Sequence, residues 1–164
     1  MWLVGMMGSG KTSVGRLVAQ AVHVPFYDSD EAVVAMTGRS IAVLWDELGE
    51  PRFRALERSA IESAPSGVVA AAGGGAVLDP VSRLKMRLDP PVVWLRATPE
   101  NLARRLEEDS DRPLLTKTRP RVALLGEILE ARADSYQTAA THVVETDERE
   151  LAEVAEEVTE LWPA

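Results

Sequence analysis

The stretch Gly5-Met6-Met7-Gly8-Ser9-Gly10-Lys11-Thr12 fits the pattern G-x-x-x-x-G-K-[ST] in full. It lies between an apolar strand over residues 1–5 and an amphipathic helical pattern, the context that the motif requires. Glycines let the backbone curl so that successive N–H groups point at phosphate oxygens, and the helix that follows adds its positive end. Lys11 would then reach the β- and γ-phosphates of a bound nucleotide, and the Thr12 hydroxyl would hold Mg²⁺. At ordinary residue frequencies a chance match in a chain of this length is on the order of one in two hundred. The predicted nucleotide-binding run is Gly8, Ser9, Gly10, Lys11, Thr12 and Ser13.

Outward from that stretch, strand-like and helix-like segments alternate. The first helix carries Val14, Leu17, Val18, Ala21 and Val22 on one face and is broken at Pro25. Phe26-Tyr27 reads as a second strand running into Asp28-Ser29-Asp30, followed by helices at about 31–37, 41–48 and 50–63. A buried strand over 67–72 ends in Gly73-Gly74-Gly75, a helix covers 80–88, and a strand covers 91–95. Thr98 then caps a helix with Pro99 at its first position. After a polar stretch at 107–119 come a long helix to about residue 139, a strand at 142–144 and an acidic final helix. The alternation predicts a three-layer α/β/α fold around a five-stranded parallel sheet, the P-loop nucleoside triphosphate hydrolase fold. Ligands of such sheets sit beyond the carboxyl ends of the strands. The segments 8–12, 28–30 and 73–75 each follow a strand, so all three face one crevice.

The 164 residues suit a single domain with a sizeable core, 46% apolar and without cysteine. That composition excludes thiol catalysis and cysteine metal sites. No apolar run approaches the roughly 20 residues of a membrane span, and the first residues carry no basic-then-apolar leader, so a cytoplasmic protein is expected. The net charge of −8 argues against nucleic-acid binding. Residues 145–160 alone carry −7 of it, which predicts a solvated acidic face with no part in catalysis.

Several polar residues are candidates for chemistry. Asp28 and Asp30 either flank a metal and a hydroxyl or form a helix-capping pair. Three glycines at a strand end are costly to order, which suggests a close backbone approach or else a plain turn. Arg112, Lys117, Arg119 and Arg121 make residues 109–121 a candidate lid that brings a cation over the transferring phosphate. Trp45 and Phe53 fall on helical apolar faces and are expected in the core ahead of a ligand wall.

Together these pieces resemble the shikimate kinase family. The residues that carry the resemblance begin with the phosphate loop, Asp28-Ser29-Asp30, Thr37-Gly38-Arg39-Ser40-Ile41, Gly49-Glu50, Phe53-Arg54 and Glu57. They continue with Gly73-Gly74-Gly75-Ala76-Val77, Arg112-Pro113-Leu114-Leu115, Arg132 and Tyr136. The resemblance implies a kinase that uses ATP with Mg²⁺ to phosphorylate the 3-hydroxyl of shikimate. By the same resemblance Asp30 binds the reacting hydroxyl, while Arg54 and Arg132 grip the substrate carboxylate. Gly74 and Gly75 then offer backbone contacts to the substrate, and Asp28 reaches Mg²⁺ through water. Arg112 is implied on the phosphates, and Arg105 and Arg149 near the adenine. Lys11, Asp30 and Arg112 would be the catalytic set, residues 31–63 the substrate-binding segment, and the whole a monomer. The third strand ends in alanine at Ala72, where many P-loop enzymes have a metal-binding aspartate, so the cation would rest on Thr12, phosphate oxygens and water. The rivals are a gluconate or nucleoside monophosphate kinase on the same scaffold, and a nonenzymatic module that binds ATP and changes shape.

Overall fold

In the computed structural model, which describes residues 1–106 and 120–163, the alternating segments become five strands with helices on both faces. β1 (Trp2–Val4) leads into α1 (Lys11–Ala21), and β2 (Phe26–Asp28) into α2 (Ser29–Thr37) and the long α3 (Ile41–Glu62). β3 (Val69–Ala71) is followed by a short 3₁₀ turn (Ala76–Leu78) and α4 (Pro80–Arg87), and β4 (Val92–Arg96) by α5 (Pro99–Leu106). α6 (Arg121–Ala139), β5 (His142–Glu145) and α7 (Leu151–Glu160) complete the chain. The strand order is β2-β3-β1-β4-β5 with every pairing parallel, as the alternation predicts. Trp2 lies opposite Ala70 on one side and Val92 on the other. The chain fills one side of β1 and then the other, so the direction of winding reverses beside β1, and a ligand crevice opens at the carboxyl ends there.

Strand side chains alternate between faces, and both faces are covered. Trp2, Val4, Ala70, Val92 and Trp94 pack with Met86 of α4 and with Leu125 and Tyr136 of α6. Leu3, Val69, Val93 and Leu95 pack with Val14 and Val18 of α1 and with Val154 and Val158 of α7. Each fully buried aliphatic side chain contributes about 1.5–3 kcal/mol. A third cluster of Val33, Leu44, Phe53 and Ala60 joins α2 to α3.

Two local readings are refined. The inward face of α1 is Val14, Gly15, Val18 and Ala19, while Leu17 is 38% exposed and Ala21 is turned to solvent. The predicted stripe was rotated because α1 packs against α7 as well as the sheet, and the position of α7 is not visible in the local periodicity. The two expected helices at 41–48 and 50–63 are one run with a break at Gly49, whose φ of 72° and ψ of 166° are not helical. Pro51 lacks an N–H and obstructs the preceding turn, so the helix must restart there, with proline in its first turn. Among the described residues no helix is long and apolar enough to cross a membrane.

Candidate active site

The loop between β1 and α1 ends in Gly10, whose φ of 91° places it at the helix start with no capping side chain. The first N–H groups of α1 are thereby left to an external acceptor. Lys11 folds back over the loop, its Nζ donating to the carbonyls of Gly5 at 3.0 Å and Met6 at 2.9 Å. Thr12 donates through Oγ1 to Asp28 Oδ2 at 2.9 Å. The other carboxylate oxygen of Asp28 accepts from the N–H of Asp30 at 2.9 Å and of Glu31 at 3.4 Å. Asp28 therefore does both things that its position allows: one oxygen caps α2, which starts at Ser29, and the other faces the Thr12 hydroxyl.

Gly8, Ser9, Gly10, Lys11, Thr12 and Ser13 line a cavity of about 350 Å³. Arg105 and Arg149 line it too, as do Leu151 and Val154 of α7. Arg105 donates to Thr146 Oγ1 at 2.9 Å and also to the Thr146 carbonyl. Arg149 donates to the Glu145 carbonyl at 3.0 Å and to Glu157 Oε2 at 2.5 Å. The acidic C-terminal region is thus not only a solvated face. The residues leading into α7 and its first turn supply an anchored cation, Arg149, and wall to this cavity, which the charge count alone could not reveal.

A second cavity, about 80 Å³, opens on the side of α3 and α6. Arg54 and Arg132 both line it, with Gly75, Glu57, Trp45 and Phe53. Arg54 is held by Glu57 at 2.8 Å and Glu50 at 3.2 Å, and its guanidinium lies over the rings of Trp45 and Phe53, 5.3 and 5.6 Å from their centres. These two aromatics are 5.1 Å apart. Phe53 belongs to the small core cluster and Trp45 packs against it, as expected, and both also line the cavity, so the core and ligand-wall readings hold together. Arg132 is 8% exposed and donates to the Gly74 carbonyl at 3.1 Å.

The glycine run is a close-approach site and not a plain turn. A Cβ on Gly73 would lie 2.5 Å from Glu57 Oε1 and 2.7 Å from Asp30 Oδ1, and one on Gly75 would fall on the Arg54 guanidinium. The Gly73 N–H donates to the Ser29 hydroxyl at 2.9 Å. Glu57, to which the sequence assigned no role, is 3% exposed. Burial pushes its carboxyl above the ordinary glutamate range, and the Arg54 guanidinium offsets this only in part. An acidic residue three positions after Arg54 on a helix was the signal available for it. Thr146, which anchors Arg105, was also missed, since a polar residue just after a strand carries no special signature.

Asp30 and Gly74 line both cavities. Arg112 and residues 109–119 of the expected lid lie outside the described residues, and Arg121 begins α6. The larger cavity, rich in N–H groups and cations, suits a polyphosphate. The smaller one offers two guanidinium groups, suited to a planar carboxylate, and the Asp30 carboxylate, suited to a hydroxyl.

The family model described as shikimate kinase matches residues 7–162. A shikimate kinase of Thiobacillus denitrificans is 42% identical over 154 residues, covering 93% of this chain and 84% of that protein. Among solved structures, a shikimate kinase from Acinetobacter baumannii in complex with shikimate superposes with a TM-score of 0.92 at 31% identity, covering 98% of this chain and 90% of that one. A gluconokinase from Sinorhizobium meliloti 1021 is similar in fold alone, at 22% identity and a TM-score of 0.56 over 97% of this chain and 89% of that one.

Proposed function

We propose, from the premise that this chain belongs to the shikimate kinase family, that the larger cavity takes ATP, the smaller takes shikimate, and phosphoryl transfer occurs where they join. The enzyme is a phosphotransferase with an alcohol group as acceptor. It moves the γ-phosphoryl group of ATP to the 3-hydroxyl of shikimate, giving shikimate 3-phosphate and ADP on the route to chorismate and the aromatic amino acids. The observation that carries the assignment of the two subsites is that Asp30 and Gly74 line both cavities.

In the proposed mechanism Gly8, Ser9, Gly10, Thr12 and Ser13 wrap the phosphates with N–H groups, and Lys11 leaves the loop carbonyls for the γ-phosphate. Arg105 and Arg149 flank the nucleotide at the far end. Arg54 and Arg132, with the N–H groups of Gly74 and Gly75, fix the shikimate carboxylate and so aim the 3-hydroxyl at phosphorus. Asp30 accepts the hydroxyl hydrogen. The oxygen–phosphorus bond to shikimate forms as the bond to the β-phosphate oxygen breaks, and ADP departs with that electron pair. Arg112 supplies a further cation to the phosphates, and the segment 109–121 shields them from water.

The oxygen donors at Thr12 and Asp28, 2.9 Å apart, fit a hard cation, with Thr12 as direct ligand and Asp28 acting through water. Mg²⁺, when bound, neutralises charge on the β- and γ-phosphates. The further reading is a one-domain monomer of the cytoplasm, with residues 31–63 as its acceptor-binding segment and no nucleic-acid or membrane partner. The acidic balance of the chain supports the exclusion of nucleic acid.

The test is ADP release from MgATP with shikimate, gluconate, AMP or no acceptor. Shikimate should raise the rate far above the no-acceptor value, and Asp30→Asn should lower it by about a hundredfold or more. A shikimate rate equal to the no-acceptor rate overturns the reading.

A further inference from the structure

One buried polar side chain beside the acceptor cavity has no part in the transfer scheme. Tyr136 is fully buried, and its hydroxyl donates a 2.6 Å hydrogen bond to the Gly74 carbonyl oxygen. Arg132, one helical turn earlier on α6, donates to the same oxygen at 3.1 Å. The Tyr136 ring is fixed in turn by Trp94 of β4, stacked at 5.3 Å with 18° between planes. Burial pushes the phenol up to about 12, so the hydroxyl keeps its proton at neutral pH and remains a donor.

The carbonyl held in this way sits at a junction. A Cβ on Gly74 would lie 3.4 Å from the Met7 nitrogen and 3.5 Å from the Gly5 oxygen, so this residue rests against the phosphate loop. The Gly74 carbonyl and the Gly75 N–H belong to one planar peptide unit and point in opposite directions. Anchoring the oxygen on α6 therefore fixes where that N–H points. Among the described residues the Gly75 N–H has no hydrogen-bond partner. Three consecutive glycines are costly to order, and Tyr136 and Arg132 bear on the middle one from a rigid helix.

We infer that Tyr136 is a positioning residue for acceptor binding, which holds the Gly74 peptide and the Arg132 guanidinium in the arrangement that receives the acceptor's carboxylate. This rests on the reading of the smaller cavity as the carboxylate site. It explains why a tyrosine, whose ring alone would fill the core, carries its oxygen to this carbonyl.

Tyr136→Phe keeps the ring and its stacking on Trp94 and removes one oxygen. The expected result is a rise of about tenfold in KM and Kd for shikimate, with KM for ATP within about twofold of wild type. A packing role alone would lower the melting temperature and leave the ratio of the two KM values unchanged, and that result overturns the proposal. A second readout is free of the acceptor's identity: in nitrogen-15 NMR spectra of the unliganded protein, the Gly74 and Gly75 amide signals should shift or broaden in Tyr136→Phe. Unchanged amide signals also overturn the proposal. A wild-type enzyme indifferent to shikimate overturns the functional reading instead, and the amide spectra then decide the role of Tyr136.

Discussion

A methyl group on Gly73 would stand 2.5 Å from Glu57 Oε1 and 2.7 Å from Asp30 Oδ1, so Gly73→Ala must push both carboxylates aside. Glu57 is held by Arg54 at 2.8 Å, so displacing it also disturbs a cation that lines the smaller cavity. The expected outcome is a loss of kcat of about tenfold or more with KM for ATP unchanged, since the phosphate loop lies beyond the contact. Steady-state kinetics check this, and an unaltered kcat would show that Asp30 tolerates the shift. The glycines were legible because three in a row after a strand have an evident cost. Glu57 was not, because a helical glutamate next to an arginine reads as a solvated pair. Only the packing of α3 against the glycine run reveals that it is buried.

Asp79 shows the same division of information at the scale of elements. It precedes Pro80 at the start of α4, and its Oδ2 accepts from both the N–H and the hydroxyl of Ser82 at 2.8 Å, while Arg58 of α3 donates to Oδ2 at 3.1 Å. Burial alone would raise its pKa, but these donors outweigh it and hold the carboxyl below its ordinary 3.8. The sign follows from linkage: a depressed carboxyl stabilises the fold above its unfolded value, and that stabilisation is lost as pH falls through the folded one. Asp79→Ala should therefore cost about 1 kcal/mol at pH 7, chiefly through the lost cap because Arg58 is half exposed. The deficit should shrink in urea titrations carried below the ordinary value. A deficit that stays constant into acid would assign the effect to packing. The start of α4 at residue 80 and the break between the helices at 41–48 and 50–63 were readable because proline and glycine act locally. The register of α1 was not, because α7, which buries part of it, is far away in sequence.

At the scale of the whole molecule, the net charge of −8 does not describe the surface that ligands meet. Residues 145–160 carry most of it, yet Arg149 within that segment lines the larger cavity and is tied to Glu157. Glu156 and Glu160 are exposed on the outside of α7. The segment therefore has two functions that a charge count merges, and paired substitutions separate them. Glu156→Gln with Glu160→Gln should leave kcat and both KM values within about twofold, since screened surface charge contributes little at that distance. Glu157→Gln removes the ion pair to Arg149 but leaves its bond to the Glu145 carbonyl, and should change KM for ATP by about two- to fivefold, the effect of losing one partly exposed ion pair. KM for shikimate should not move, because Arg149 lines only the larger cavity. Equal effects of both substitutions on ATP would mean that the acidic helix acts through its overall field, whereas an effect confined to Glu157 assigns it to the one contact that reaches the cavity.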